Sequence, residues 1–189
     1  MSRRLQKVEL NMSSILVIAA HPDDEVLGCG GTIVKHSNMG DSIHVAFLAD
    51  GVFSRLGEEK SQENELVRRR KSAKKACKIL GVNSVSFEDF PDNRMDTVPL
   101  LEIIRSIEKI IDIHKPAIIY THHSGDVNID HKIISNAVIT ACRPQGKYSV
   151  KTILNFEVPS STEWQVHGGG TIFHPNFFED ISETLEKKI

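Results

Sequence analysis

Three acids and a histidine stand together in one short segment of the chain, with the sequence HPDDE at residues 21–25. A histidine and a carboxylate three residues apart on a tight turn can reach one cation, and Pro22 stiffens that turn because its ring fixes φ. One of Asp23 and Asp24 would then bind the ion while the other faces a substrate. Three such ligands plus a water are the open coordination of catalytic zinc, and the remaining carboxylate is suited to general-base work.

The plainer interpretation of this segment is that the acids cap the following helix and complement its dipole. Capping accounts for one or two acids, whereas the segment holds three beside a histidine. The nearby Gly28 and Gly30 do not complete a dinucleotide-binding motif, because Ile33 stands where GxGxxG needs its third glycine. We expect these glycines to allow close packing of the helix against a sheet.

A second polar group lies at residues 121–131, with the sequence THHSGDVNIDH. A lone histidine is most often a surface or packed residue, but three histidines and two aspartates within ten residues favour a site. His131, at the start of a predicted helix, could complete the coordination begun by His21 and Asp24. Asp130 is assigned to the catalytic set because neighbouring carboxylates commonly orient ligand histidines.

Short β-branched runs that alternate with longer helical patterns must position these residues. This order predicts an α/β fold with a mostly parallel sheet. Strands are predicted at 15–20, 43–49, 85–87, 117–121 and 152–156, and helices near 26–38, 59–80, 98–114 and 131–142. Ligands in such folds bind outside the carboxyl ends of the strands, where both polar groups fall.

Length and composition predict a single domain spanning residues 1–189, with 40% hydrophobic and 25% charged residues. The net charge of −2 argues against a nucleic-acid partner, and the absence of a long apolar stretch or signal peptide predicts a cytoplasmic protein without a membrane span. The three cysteines lack CxxC spacing, so we expect small packed residues rather than a thiolate site. An amphipathic helix predicted at 177–189 ends without a stop signal, which suggests a truncated C-terminus.

The strings AHPDDE at 20–25 and NIDH at 128–131 resemble the LmbE-like, or PIG-L, family of zinc-dependent N-deacetylases. Ala49-Asp50-Gly51 and the helix from Arg69 to its Gly81-Val82 exit extend the resemblance over most of the chain. It implies a Rossmann-like three-layer fold in which an N-acetyl or other N-acyl group is removed from an amino sugar or conjugate through a zinc-activated water. The implied zinc ligands are His21, Asp24 and His131, and the implied general base is Asp23.

One departure from the family concerns Asn128, since many members carry a histidine there that helps to stabilise the oxyanion. Asn128 can donate an amide N–H without titrating, and His122 or His123 could supply an imidazole from the same loop. Arg69 matches the family's substrate-side arginine. Arg55 is a weaker candidate for binding a phosphate or carboxylate of the substrate, and His123 is assigned to substrate binding.

The segment 155–164 contains Glu157 and Trp164, which could form a sugar-binding rim or equally a salt bridge and a core contact. Two other functions stay open. One is a metal-dependent phosphohydrolase, since Asp/His clusters also build two-metal phosphoesterase sites. The other is a metal- or sugar-binding module with weakened catalysis. The expected partner is a small molecule, and a homo-oligomer is compatible with the sequence.

Overall fold

A five-stranded sheet with helices on both faces forms the protein, for which a computed structural model describes residues 12–52, 59–145, 149–166 and 171–189. The strands are β1 (Ser14–Ala19), β2 (Ser42–Ala49), β3 (Ser84–Phe90), β4 (Ile118–His122) and β5 (Thr152–Phe156). The helices are α1 (Asp24–Asn38), α2 (Glu59–Leu80), α3 (Leu100–His114), α4 (Ile129–Ala141) and the short α5 (Leu185–Lys188). Two single 3-10 turns occupy Met95–Thr97 and Thr162–Trp164.

All strand pairs are parallel, in the order β3-β2-β1-β4-β5. The chain therefore moves outward from β1 through β2 to β3, and then returns to the other side of β1 to place β4. The direction in which the chain adds strands reverses between β1 and β4, so the loops that leave these two strands diverge and open a crevice at the carboxyl edge of the sheet. The two polar groups of the sequence follow β1 and β4, so both border this crevice.

The core consists of two apolar layers, one on each face of the sheet. Leu16 and Ile18 of β1 pack with α3 and α4, while Ile15 and Val17 pack with α1 and α2. Alternate residues of a strand point to opposite faces, so a central parallel strand is apolar on both. The predicted Rossmann-like α/β fold is confirmed.

Helix α1 approaches the sheet closely at Gly28, where an added β-carbon would stand 2.3 Å from Cδ2 of Phe156. The expectation that glycine permits close packing of helix and sheet is confirmed at this position. The cysteines are free thiols as expected; Cys29 and Cys77 are buried, and Cys142 is half-buried against the core.

The predicted helix at 177–189 is wrong over most of its length, since only Leu185–Lys188 is helical. The preceding residues instead lie along α1, where Ile181 contacts Gly31 and Thr184 Oγ1 donates to the Gly31 carbonyl at 2.9 Å. Lys35 pairs with Glu179 on the same surface. These long-range contacts outweigh the local helical pattern. In the part of the chain that is described, no helix has the length and apolar character needed to cross a bilayer.

Candidate active site

The turn after β1 separates its two adjacent aspartates. The His21 backbone N–H donates to Asp24 Oδ2 at 2.8 Å, which draws that carboxylate inward, and Asp24 is 4% exposed. Asp23 points outward from an unusual backbone conformation with φ of 139°. Its N–H donates to Glu25 Oε2 at 3.0 Å. Burial raises the pKa of Glu25 to about 7, despite the hydrogen bonds that it accepts. The buried Glu25 carboxyl group therefore stabilises the turn by accepting the Asp23 N–H.

Strained backbone is stored where the surroundings hold it, and it occurs often at functional sites. The Asp23 side chain makes no capping hydrogen bond to the described backbone of α1, although Asp23 occupies the N-cap position. The capping interpretation therefore does not account for this carboxylate.

His21, Asp24 and His131 bring three ligand atoms within 4.8 Å of one another. Asp24 Oδ2 lies 3.4 Å from His21 Nδ1 and 3.3 Å from His131 Nε2. His131 Nε2 is buried and finds no hydrogen-bond partner among the residues that the structure describes. Buried nitrogen atoms are rarely left unpaired, so this atom and its carboxylate neighbour fit a bound cation. Two imidazoles and a carboxylate are ligands that suit zinc.

Carboxylates stand behind both histidines of this group. His21 Nε2 lies 3.1 Å from Asp130 Oδ2 and also 3.1 Å from Asp92 Oδ1. His131 Nδ1 lies 3.1 Å from Asp126 Oδ2. In a neutral imidazole, a ring nitrogen that donates to a carboxylate leaves the other nitrogen with a lone pair, so these contacts would present His21 Nδ1 and His131 Nε2 as ligands to a cation beside Asp24.

The supporting carboxylates are themselves held by several donors. Asp130 is fully buried and accepts the backbone N–H groups of Asn93 at 2.6 Å and Met95 at 3.1 Å. Asp130 therefore lies behind His21 rather than at the crevice.

Asp126 accepts hydrogen bonds from Thr162 Oγ1 at 2.6 Å and Ser161 Oγ at 3.0 Å. Burial acts to raise its pKa, but the hydrogen bonds from His131 and Thr162 lower the pKa of Asp126 to about 2. Asp126 is therefore an anion at neutral pH and a stable acceptor for His131.

Negative charge dominates the interior of the site. Burial acts to lower the pKa of His21, yet bonds to Asp130, Asp24 and Asp92 raise it to about 12. His131 responds in the same way, and its pKa rises to about 9 through Asp126 and Asp24. Surroundings that hold protons on two imidazoles also favour a divalent cation, which would compete with those protons for the ring nitrogens.

A cavity of about 240 Å³ opens over this group. Six of the sequence-predicted site residues line it: His21, Asp23, Asp24, Arg69, Asn128 and His131. Five further residues complete the wall: Gly51, Asp92, Asn93, Ser160 and Ser161. The lining is almost wholly polar, which suits a ligand that carries hydroxyl and amide groups.

Asp23 and Arg69 both line this cavity, and their charges interact. Burial and the charge of Asp24 raise the pKa of Asp23, while Arg69 and the two histidines oppose that rise. The Arg69 side chain on α2 is 24% exposed, and its Nε lies 3.8 Å from Glu65 Oε1, whereas the Arg68 side chain is 74% exposed and pairs with the same carboxylate at 2.7 Å. Arg69 therefore lies partly sheltered at the cavity, while the Arg68 side chain is largely in solvent.

Other predicted residues lie outside the cavity lining. His123 Nε2 hydrogen-bonds to the Thr171 carbonyl at 2.8 Å, so its ring contacts the C-terminal segment. His122 is fully buried; its Nε2 accepts the Ala20 N–H at 2.8 Å, and its ring stacks on His131 at 3.8 Å. Burial and the neighbouring His131 lower the pKa of His122 to about 3, so this ring is neutral.

Arg55 lies outside the described residues, so its predicted role in substrate binding stays a prediction. Glu157 is exposed, and Trp164 is 69% exposed. Of the two alternatives left open for Trp164, the core contact is therefore wrong.

Sequence reasoning missed several residues that build the site. Asp92 follows the end of β3 just as His21 follows β1, so the rule of polar strand ends could have found it. Asp126 lies inside the second polar segment, but no feature of the local sequence distinguishes it from its polar neighbours. Ser161 arrives from the loop after β5, and nothing in its local sequence indicates contact with His131.

Comparison with known proteins places this geometry in a family. The family model described as PIG-L, GlcNAc-PI de-N-acetylase, matches residues 16–142. YaiS of Escherichia coli K12, named an uncharacterized deacetylase, is 30% identical over 174 residues, which cover 89% of this chain and 82% of YaiS. The diacetylchitobiose deacetylase of Thermococcus kodakarensis is 28% identical, over 95% of this chain and 67% of the relative.

Among solved structures, GalB of Pseudomonas putida KT2440 superposes with a TM-score of 0.75 at 26% identity, over 94% of this chain and 76% of GalB. GalB is a 4-carboxy-2-hydroxymuconate hydratase, so the fold by itself does not decide the reaction. The family match extends from β1 through α4 and includes both polar segments. The chain belongs to the PIG-L family of deacetylases.

Proposed function

We propose that this protein is a zinc-dependent N-deacetylase that hydrolyses the acetamide of an N-acetylglucosamine-type sugar or conjugate. The observation that carries the proposal is the group of His21, Asp24 and His131 beside the outward carboxylate of Asp23. The family description and the diacetylchitobiose relative both concern N-acetylglucosamine units, which supports this substrate class.

His21 Nδ1, Asp24 Oδ2 and His131 Nε2 would hold the ion. When bound there, a zinc ion would polarise the amide carbonyl and lower the pKa of water, which are its ordinary contributions to hydrolysis. Asp130 and Asp126 act as positioning residues for the ligand histidines, since each accepts the far N–H of one imidazole. The sequence-based assignment of Asp130 to the catalytic set is thus proposed in this narrower sense.

Asp23 is the proposed general base. Its carboxylate takes the proton of the attacking water and then passes it to the departing amine nitrogen. A raised pKa suits this role, because a carboxylate that holds a proton too weakly would not return it to the amine. The positive charge of Arg69 opposes that rise and so favours the ionised carboxylate that takes a proton from the attacking water.

The cavity favours a single sugar residue at the reacting position. Its volume of about 240 Å³ is below the roughly 300–1,000 Å³ of sites that enclose drug-sized ligands. Arg69 and Ser160 offer a charged group and a hydroxyl group to sugar oxygens around the rim. A larger conjugate would extend its remaining part into solvent.

Zinc-reconstituted protein tests the proposal in an assay for free amine and acetate with N-acetylglucosamine, diacetylchitobiose and phosphate-linked N-acetylglucosamine. We expect equal amounts of acetate and amine from at least one compound, and no product from the His131→Ala variant. The control without enzyme sets the background.

Two parallel assays distinguish the other functions. Release of nitrophenol from nitrophenyl phosphate, with two ions per chain, would favour a phosphohydrolase. Hydration of a carboxylated enol without acetate release would favour the chemistry of GalB. Either result, combined with no amine from the sugar panel, would refute the proposed deacetylase.

A further inference from the structure

A chain of three side chains crosses the cavity wall between the loops after β3 and β4. Asn128 Oδ1 accepts the backbone N–H of Asp130 at 2.9 Å, and Asn128 Nδ2 donates to Asn93 Oδ1 at 3.2 Å. Asn93 Nδ2 then donates to Asp92 Oδ1 at 2.9 Å. All three side chains belong to residues that line the cavity.

The direction of every hydrogen bond in this chain is fixed by its two ends. A backbone N–H can only donate, so the Asn128 atom that faces Asp130 must be oxygen. The Asn128 nitrogen then faces Asn93, whose oxygen must accept, and the Asn93 nitrogen is left to face the acceptor Asp92. No alternative flip of either amide satisfies both ends.

The Asn128 amide nitrogen carries two hydrogens, and the chain uses one of them. The second is available to the cavity as a donor. A donor aimed at the place where negative charge develops stabilises a tetrahedral oxyanion, provided that it is held in position beforehand. Asn93 is the residue that holds it, because its oxygen fixes the rotation of the Asn128 amide from the side of the cavity.

We propose that Asn93 is a positioning residue that orients Asn128 as a neutral oxyanion donor. The inference rests on the proposed deacetylase function and explains how this chain works with asparagine where a histidine is common in the family. The donor is the Asn128 side-chain amide, whose protons do not titrate.

The backbone of Asn93 supports a specific role and permits a clean test. Its φ is 52°, in the left-handed region that glycine adopts without cost and that asparagine tolerates better than most residues. Its N–H donates to Asp130 Oδ2. Asn93→Gly therefore keeps the backbone conformation and that N–H while removing only the amide side chain.

The first measurement is the side-chain amide region of the ¹H–¹⁵N spectrum of the labelled, zinc-loaded protein. The two side-chain amide proton signals of Asn128, called the Asn128 pair, are identified because they disappear in Asn128→Ser, a variant that retains a hydroxyl able to cap the helix. We expect Asn93→Gly to move the hydrogen-bonded Asn128 proton upfield and to narrow the separation of the pair. Asp96→Gly, an exposed change in the same loop, should leave the pair in place.

The second measurement is a double-mutant cycle in steady-state kinetics with a substrate found in the panel. Asn93→Gly should lower kcat about ten-fold while KM changes by less than about two-fold, because the donor acts on the transition state. In the Asn128→Ser background, Asn93→Gly should have no further effect, since Asn93 acts through Asn128.

The proposal is overturned if Asn93→Gly leaves the Asn128 pair unchanged, or if the two substitutions lower kcat multiplicatively. Failure of the proposed function looks different, because the unsubstituted protein would then release no acetate from any compound. The amide spectrum does not depend on turnover, so in that case it alone decides whether Asn93 orients Asn128.

Discussion

Replacing Gly28 by alanine should disturb the site from beneath. A β-carbon at this position would stand 2.3 Å from Phe156 Cδ2 and 2.8 Å from its Cγ. The Phe156 ring meets His122 edge-on at 4.9 Å between centroids, and His122 stacks on His131 at 3.8 Å. The new methyl group therefore presses on a row of three rings that ends at a proposed metal ligand.

The magnitude follows from two opposing contributions. Ordinary van der Waals contact requires the Phe156 ring to retreat by about 1 Å, and overpacking of this kind typically costs about 1–3 kcal/mol. Alanine in place of glycine within a helix contributes about 0.5–1 kcal/mol in the favourable direction. These contributions leave a net loss of about 0–2.5 kcal/mol, centred on about 1 kcal/mol, in the free energy of unfolding, or a fall in Tm of up to about 10 °C for a chain of this size.

Gly30→Ala is the matched control on the same helix. Its β-carbon would meet only Lys188 Cγ at 3.3 Å and Val26 Cγ1 at 3.6 Å among side chains, and the lysine can move. We expect this variant to be as stable as the unsubstituted protein or up to about 1 kcal/mol more stable. Urea unfolding with chelator present separates folding from metal binding, and a chelator competition then measures zinc affinity. A Gly28→Ala protein as stable as Gly30→Ala would refute the reasoning.

Three further changes test other parts of the structure. Burial and the stacked His114 lower the pKa of His44 from 6.5 to about 4, so between these pH values the unfolded chain binds a proton at His44 and the folded chain does not. This difference should cost the protein about 2 kcal/mol of stability as the pH falls from 6.5 to about 4.5. In His44→Gln, the difference between the urea midpoints at these two pH values should be smaller by about that amount. Asp126→Asn should weaken zinc binding about 10–100-fold in chelator competition, because His131 loses its anionic acceptor, and unchanged affinity would contradict the supporting role. Arg69→Ala should raise KM about ten-fold with zinc content unaltered, and an unchanged KM would remove Arg69 from the substrate wall.

Much of the fold followed from local pattern. The apolar runs of β1 and β2 and the long periodic helices are strong signals, and their order predicts which loops share an edge of the sheet. The HPDDE turn was also recognisable, because proline, two adjacent acids and a histidine have few structural explanations. What the pattern could not supply is the inward turn of Asp24 and the outward turn of Asp23, which depend on the His21 N–H and on buried Glu25.

The rest of the site depends on contacts between residues far apart in the chain. Ser161 reaches Asp126 from 35 residues away, and Asn93 meets Asn128 at the same separation. The C-terminal segment failed as a predicted helix for a related reason, since its contact with Gly31 spans 153 residues. Local periodicity carries no information about such partners.

Asp23→Asn tests the central claim most directly, with zinc content and acetate release measured on the same preparation. Asparagine has the same shape as the aspartate it replaces at φ 139°, and the Asp23 side chain does not belong to the proposed ligand group, so folding and metal binding should be preserved. The account predicts one zinc per chain, as in the unsubstituted protein, and a fall in kcat of about 10²–10⁴-fold. A zinc-loaded Asp23→Asn protein that turns over within about ten-fold of the unsubstituted enzyme would contradict it.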